Sequence, residues 1–337
     1  MNNFSLQKNK VHLITEMLQT IKIIDEFDEF DALSLSEELR GVDNLMLTGE
    51  GSSRIFPARN ALMKWLSKGK GPGIFTESAT DLTGKDLMNF TVFGASNSGR
   101  TKEVVNLFKK LREKGHEKLY SLTCTPGSAL EEHAKKGVVL KTGKEQAVAA
   151  TMSVIAQAFF YEVLISGFTN QKIDKHLLAA DIDATLNKSI SQELLDTLTG
   201  ADHLFFAGIH NGVAEELTLK TNETVRKKSA YFPGTYLLHG VEEVISKKDV
   251  ILLVDHLPDH VAKIHHVFVD GIGAKVIGFD DISSLFPSVT CQCSHPEHQP
   301  YVKLAAGWKI LAETGLAMGI DLDKPQRARK IGNEVSD

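Results

Sequence analysis

Two short stretches gather hydroxyl side chains where an apolar run gives way to helix formers. Residues 93–101, FGASNSGRT, set Ser96, Asn97, Ser98 and Thr101 around Gly99, and residues 49–54, GEGSSR, set Ser52 and Ser53 after Gly51. Hydroxyls and backbone N–H groups collected at the positive end of a helix dipole suit a tetrahedral anion. For either loop alone, the competing reading is that Ser and Thr simply cap the following helix. Two such loops, one α/β unit apart, shift the balance toward an anion site. Neither loop fits G-x-x-x-x-G-K-[ST], and G-x-G-x-x-G is absent, so a nucleotide is not indicated. Phosphate fits, and sulfonate is compatible with the same groups. Arg100 adds a cation at the helix start, and Glu50 stands where it could meet a substrate amine or hydroxyl, or pair with Arg54.

Proton-transfer groups stand further along. In GVAEELTLKTNETV, Glu216, Lys220 and Glu223 fall at i, i+4 and i+7, one face of a helix. Spacing alone favours an exposed salt-bridge stripe there. His239 precedes Gly240, and a histidine at a turn is more often a hydrogen-bonded structural residue than a catalyst. The tail GIDLDKPQRARKIGNEV reads, unaided, as a basic and solvated end. Cys291, Cys293, His295 and His298 in CQCSHPEH invite a zinc reading. Against it, C-x-C on a strand sends both thiols to one face, Pro296 interrupts the loop, and no second ligand pair has finger spacing. No metal is expected. His256, His260, His265 and His266 read as solvated surface.

These residues need a scaffold, and the pattern supplies one. Short apolar runs (NLMLTG, GIFTE, FTVFGA, KLYSLTC, GVVLK) alternate with amphipathic stretches such as TKEVVNLFKKLREKG, and the rhythm restarts with HLFFAG, SAYF, VILLVD, AKVIGF and SVTCQC. Alternation of this kind predicts two tandem doubly wound α/β units with parallel sheets of about five strands. Ligands of such sheets sit beyond the carboxyl ends of the strands, where the hydroxyl-rich loops fall. The predicted division is a helical segment over 1–40, a first α/β domain over 41–168, a connector and second domain over 169–320, and a tail over 321–337.

Of 337 residues, 42% are hydrophobic, enough for two cores, and 38 basic against 43 acidic residues leave a net charge of −5. No basic block tracks a phosphodiester backbone, so nucleic acid is not an expected partner. The N-terminus lacks a signal-peptide core, and charges break later apolar stretches before bilayer length, so no membrane association is expected. Three cysteines, an odd number, argue for a reducing compartment and a cytoplasmic location.

The motifs together resemble the double sugar isomerase (SIS) domain family: the isomerase half of glutamine:fructose-6-phosphate amidotransferase, and stand-alone phosphosugar isomerases and deaminases. The family's S-x-S-G-x-T phosphate loop is matched by Ser96 to Thr101, its G-[ST]-S sugar loop by Gly51, Ser52 and Ser53, and its N-x-P-G-S-x-L segment by PGSAL at 126–130. E-x-x-x-K-x-x-E is matched by Glu216, Lys220 and Glu223. The resemblance implies flavodoxin-like (SIS) three-layer domains. It also implies Glu223 as the base shuttling a proton between C1 and C2, Lys220 as its electrostatic support, and Glu216 as a member of that network. His239 would be the ring-opening histidine, commonly supplied by a neighbouring subunit, and Lys330 the lysine at the carbonyl end. It implies a homo-oligomer with a shared site, a sugar-phosphate substrate and no cofactor. Departures are Tyr236, Val241, Asn222, Gln326, Ala150 and Met152, most of them where the family has polar or charged groups. They bear on which sugar fits. An aldose–ketose isomerase is the expected activity. An amino-sugar phosphate deaminase or deglycase, and a non-catalytic sugar-phosphate-binding regulator, are the alternatives. Because the sequence starts directly with helices and shows no cysteine-led glutaminase domain, amidotransferase activity is not expected.

Overall fold

A computed structural model describes residues 7, 10–255, 257–280, 284–327 and 333–335. Its contacts divide the chain into two compact units. One comprises residues 22–145, 150–176 and 329–337, and the other residues 1–21, 146–149 and 177–328.

The first-named unit is built on a five-stranded parallel sheet in the order β2-β1-β3-β4-β5, with β1 Asn44–Gly49, β2 Gly73–Ser78, β3 Thr91–Ser96, β4 Leu119–Thr123 and β5 Lys136–Val139. Every residue of β3 and β4 is buried, as expected of central strands covered on both faces. The amphipathic helix Lys102–Glu113 turns Val104, Val105, Leu107, Phe108 and Leu111 onto the sheet. Helix Met152–Thr169 is apolar all round and nearly wholly buried, packed against helices Phe30–Glu38 and Ile55–Lys68. Among the described residues it is the one helix long and apolar enough to cross a bilayer, but its apolar length is used inside the fold.

The other unit repeats the plan: order β10-β9-β8-β6-β7, all parallel, with β6 His203–Gly208, β7 Lys228–Pro233, β8 Val250–Leu253, β9 Lys275–Phe279 and β10 Ser288–Val289. Renumbered from its own start, the order is again 2-1-3-4-5, the flavodoxin-like winding. Both sheets therefore have the fold class expected from the alternating pattern.

The polar stretch around 169–200 carries helices Lys175–Leu186 and Gln192–Gly200, the latter capped by Ser191, whose hydroxyl accepts from Leu194 N–H. One expectation is corrected: SVTCQC forms only the two-residue strand β10. The next backbone N–H groups donate sideways to side chains, Cys291 to Asp280, Gln292 to the Thr185 hydroxyl and Ser294 to Asp181, so the ladder cannot continue. Cys291 and Cys293 thus lie past the strand.

Candidate functional site

The loop after β3 is shaped by Gly99, whose φ of +64° suits a residue without a side chain. A Cβ there would lie 2.1 Å from Ser128 Oγ. Ser128 belongs to the PGSAL segment, where it forms a capping box with Glu131, and Leu130 N–H donates to Gly99 O at 2.9 Å. That segment therefore seats the loop from behind. Thr101 is the N-cap of helix Lys102–Glu113 but makes no side-chain cap. Its hydroxyl pairs with Ser96 Oγ at 2.8 Å, and Ser98 Oγ accepts from Arg100 N–H at 3.2 Å. The simple capping reading of Thr101 does not hold, because its hydroxyl turns into the loop.

The C-terminal tail runs beside this loop. Thr101 bridges Glu334 in antiparallel fashion, Lys102 N–H donates to Asn333 O at 3.1 Å, and Val335 N–H to Arg100 O at 2.9 Å. Arg100 Nη2 donates to Val335 O at 3.0 Å, and its Nε stands 3.7 Å from Glu334 Oε2. Arg100 thus faces the tail, which it holds with both backbone and guanidinium. Val335 packs against the core of this unit.

At the carboxyl end of β1, Gly51–Ser53 forms a single 3-10 turn leading into helix Ile55–Lys68. Gly51 is exposed, and Ser52 and Ser53 are half-buried. Glu50 Oε1 accepts from both Thr80 N–H and Thr80 Oγ1 at 2.8 Å. Its partner is therefore the turn after β2, a contact between loops that spacing along the chain does not reveal.

Sequence reasoning missed Glu145. Its carboxylate, in a residue only 5% exposed, accepts from Thr151 N–H (2.7 Å), Met152 N–H (2.8 Å), Ser153 N–H (3.4 Å) and Ser153 Oγ (2.9 Å), so it caps helix Met152–Thr169. The same carboxylate takes a hydrogen bond from Asn97 Nδ2 at 2.8 Å. A glutamate seven residues before the first residue of a helix is a visible signal only if a carboxylate is sought for each set of open helix-start N–H groups.

In the other unit, helix Val213–Lys220 runs on into a π-helical turn, Thr221–Val225, of the kind often found where side chains must be re-aimed. Lys220 Nζ lies 3.2 Å from Glu216 Oε1 and 2.9 Å from Glu223 Oε2. Glu216 and Lys220 are buried, while the Glu223 side chain, on the π turn, is 25% exposed. The stripe is not an exposed salt-bridge face, as spacing alone suggested, but a cluster with one carboxylate at its outlet. Burial opposes the charge of Lys220, yet the Glu223 and Glu216 carboxylates outweigh it and hold the ammonium well above the usual lysine range. Two carboxylates thus share one fixed cation.

Arg226, in the left-handed conformation at the end of the π turn, donates to Asp321 O at 3.1 Å and Lys324 O at 2.7 Å. Asp323 accepts from His12 and Leu13 N–H, capping helix His12–Asp25. The start of the tail is therefore fastened, while Lys330 lies outside the described residues. His239 is exposed at the end of the 3-10 turn Gly234–Leu238, with Thr235 Oγ1 at 3.5 Å from its Nε2, and Tyr236 is exposed beside it.

The CQCSHPEH segment is organised by Asp181. It accepts from Ser294 N–H (2.7 Å) and Ser294 Oγ (2.6 Å) and pairs with buried His298 Nδ1 (2.7 Å). Burial pushes the Cys291 and Cys293 thiols up. Among the described residues, no three His, Cys, Asp or Glu side chains cluster as metal ligands would. His256 lies outside the described residues.

Over residues 39–167 the chain is similar to the SIS domain, whose model matches there. Isomerizing glutamine–fructose-6-phosphate aminotransferase of Bacillus licheniformis is 25% identical over 254 residues, covering 70% of this chain and 42% of that protein. The chain thus spans less than half the length of the curated relatives it matches. Among solved structures, tagatose-6-phosphate ketose/aldose isomerase from Escherichia coli superposes with a TM-score of 0.75 at 18% identity, covering 93% of this chain and 95% of that one. Glucosamine-6-phosphate deaminase from Thermotoga maritima gives 0.71 at 19%, covering 95% and 98%. At these identities the structural likeness establishes the fold, and it extends well past residues 39–167 into the second α/β unit.

Proposed function

We propose that this protein is a SIS-domain aldose–ketose isomerase of an open-chain hexose phosphate. The observation that carries the reading is the Glu216–Lys220–Glu223 cluster. Buried Lys220 keeps its charge and lies against Glu223, a partly exposed carboxylate in the middle of a π turn. A carboxylate so placed can take a proton from the carbon next to a carbonyl and return it to the neighbouring carbon, with the lysine compensating charge. Ser52, Ser53, Ser96, Ser98 and Thr101 would hold the phosphate, with the N–H groups of Gly51 and of the loop around Gly99. Asn97 would help to shape that loop. His239, exposed and lightly held, would open the sugar ring from a neighbouring copy, and Lys330 would reach the carbonyl end. The steps balance as one C–H broken, one C–H made and a proton moved between two hydroxyl oxygens through an enediol, with no redox partner.

A second reading, amino-sugar phosphate deaminase, is favoured by the likeness to the Thermotoga maritima deaminase. It uses the same C1/C2 proton transfer and ends in loss of ammonia. Proton NMR in D₂O with fructose 6-phosphate, glucosamine 6-phosphate and related sugar phosphates, run beside an ammonia assay, separates the two. Deuterium entering at C1 or C2 without ammonia is the expected result. Ammonia release moves the protein to the deaminases, and no exchange with any of these substrates overturns both readings.

A further inference from the structure

We infer that Glu145 is a positioning residue for the anion loop, acting through the Asn97 amide. The inference rests on the reading of residues 96–101 as the anion site. A carboxylate can only accept, so the Asn97 atom 2.8 Å from Glu145 Oε2 must be the amide nitrogen, which removes the usual ambiguity between its oxygen and nitrogen. The amide plane is thereby set. One of its N–H groups is held by Glu145, and the orientation of the other follows from the geometry of the NH₂ group.

The backbone of the same residue is held from the other side, where Asn97 O accepts from Cys124 N–H at 2.9 Å. Asn97 is therefore clamped at both ends within the loop that also carries Ser96 and Ser98. Glu145 is in turn immobilised by three N–H groups of the helix start and by Ser153 Oγ. Those N–H groups would otherwise form an anion site of their own. With a carboxylate of the chain seated there, the start of helix Met152–Thr169 does not compete with the loop for the substrate's phosphate. Glu145 thus performs two tasks with one side chain: it closes the wrong helix start and it braces the right loop.

A merely structural glutamate would destabilise the fold without a specific effect on anion binding. The test is a double-mutant cycle of Glu145→Gln, Asn97→Ala and the pair, reading inorganic phosphate affinity by calorimetry and kcat and KM where a substrate is turned over. Glu145→Gln keeps the side chain's shape and one acceptor oxygen, which favours folding. Should it still fail to fold, Asn97→Ala alone cuts the link from the loop side. The expected result is phosphate affinity, and KM in parallel, weakened on the order of tenfold by either single change, the size of one charge-assisted hydrogen bond. The double variant should be no weaker than Asn97→Ala. Fully additive effects, or unchanged phosphate affinity in a folded Glu145→Gln or Asn97→Ala protein, overturn the inference while leaving the anion site intact. Absence of phosphate binding by the unmodified protein removes the anion-loop reading, and this inference with it.

Discussion

The two sheets share strand order and direction, yet the crevices at their switch points are finished in opposite ways. In the sheet of β1–β5, the strand ends flanking the switch point lead into hydroxyl-rich loops, Gly51–Ser53 after β1 and Ser96–Thr101 at the end of β3. In the sheet of β6–β10, the corresponding place holds Asp255, just past β8. Its carboxylate accepts from Ile209 N–H at 3.0 Å and Asn211 Nδ2 at 3.4 Å, and it pairs with buried Lys303 at 3.3 Å. Gly208, at the end of β6, admits this carboxylate, since a Cβ there would stand 2.6 Å from Asp255 Oδ2. A group of the chain itself is thus the anion in the second crevice. On the proposed reading, the shared winding offers two equivalent places for an anion, and the side chain standing at each decides which is left for a ligand. The second unit is left to present its Glu216–Lys220–Glu223 cluster from the exit of a helix instead.

Removing the outlet carboxylate of that cluster should have the largest effect. Glu223→Gln is expected to lower C1/C2 exchange on the order of a thousandfold, measured as deuterium incorporation, with phosphate affinity little changed. Equal loss of both would merge the roles assigned to the two units. Next comes the plug of the second crevice. Asp255→Ala leaves Lys303 buried without its carboxylate and should cost about 3 kcal/mol in thermal or urea unfolding. Added phosphate or sulfate should recover more stability in this variant than in the unmodified protein, and equal responses would refute the idea of a built-in anion. In the open crevice, Gly99→Ala forces a left-handed backbone and a clash with Ser128, at about 1–3 kcal/mol of strain. Phosphate titration should show roughly tenfold weaker binding.

The smallest effect concerns the edge of the second sheet. Burial raises the Asp181 carboxyl, but Ser294 and His298 outweigh it and hold it below the usual carboxylate range. Its contribution to stability is therefore complete above the ordinary carboxylate value of about 4 and fades as pH falls through the depressed value. Asp181→Asn should flatten the stability profile only below about pH 4, as followed by urea unfolding at stepped pH. A change confined to neutral pH would exclude this assignment.

Much of this architecture was legible beforehand. All ten strands answer to apolar runs in the sequence, because buried parallel strands need nearly continuous Val, Ile, Leu and Phe. β10 stopped early because Asp181, Thr185 and Asp280 take the backbone N–H groups that a longer strand would have needed, and such competition leaves no periodic trace. The hydroxyl loops were legible as local clusters. The burial of Glu216 and Lys220 was not, since i, i+4 spacing is the same on a solvated face and in a core. The helix-start cap by Glu145, the turn held by Glu50 and the engagement of Arg100 with the tail depend on contacts through space. No window along the chain contains both partners of the last.

That last contact has a consequence for synthesis. Arg100 and Val335 are 235 residues apart in sequence, and Thr101 meets Glu334 in the same latch. A ribosome releases the anion loop and the strands around it long before the segment that fastens them. This latch can therefore form only after the whole β6–β10 sheet has been made, and a contact of such sequence separation closes slowly.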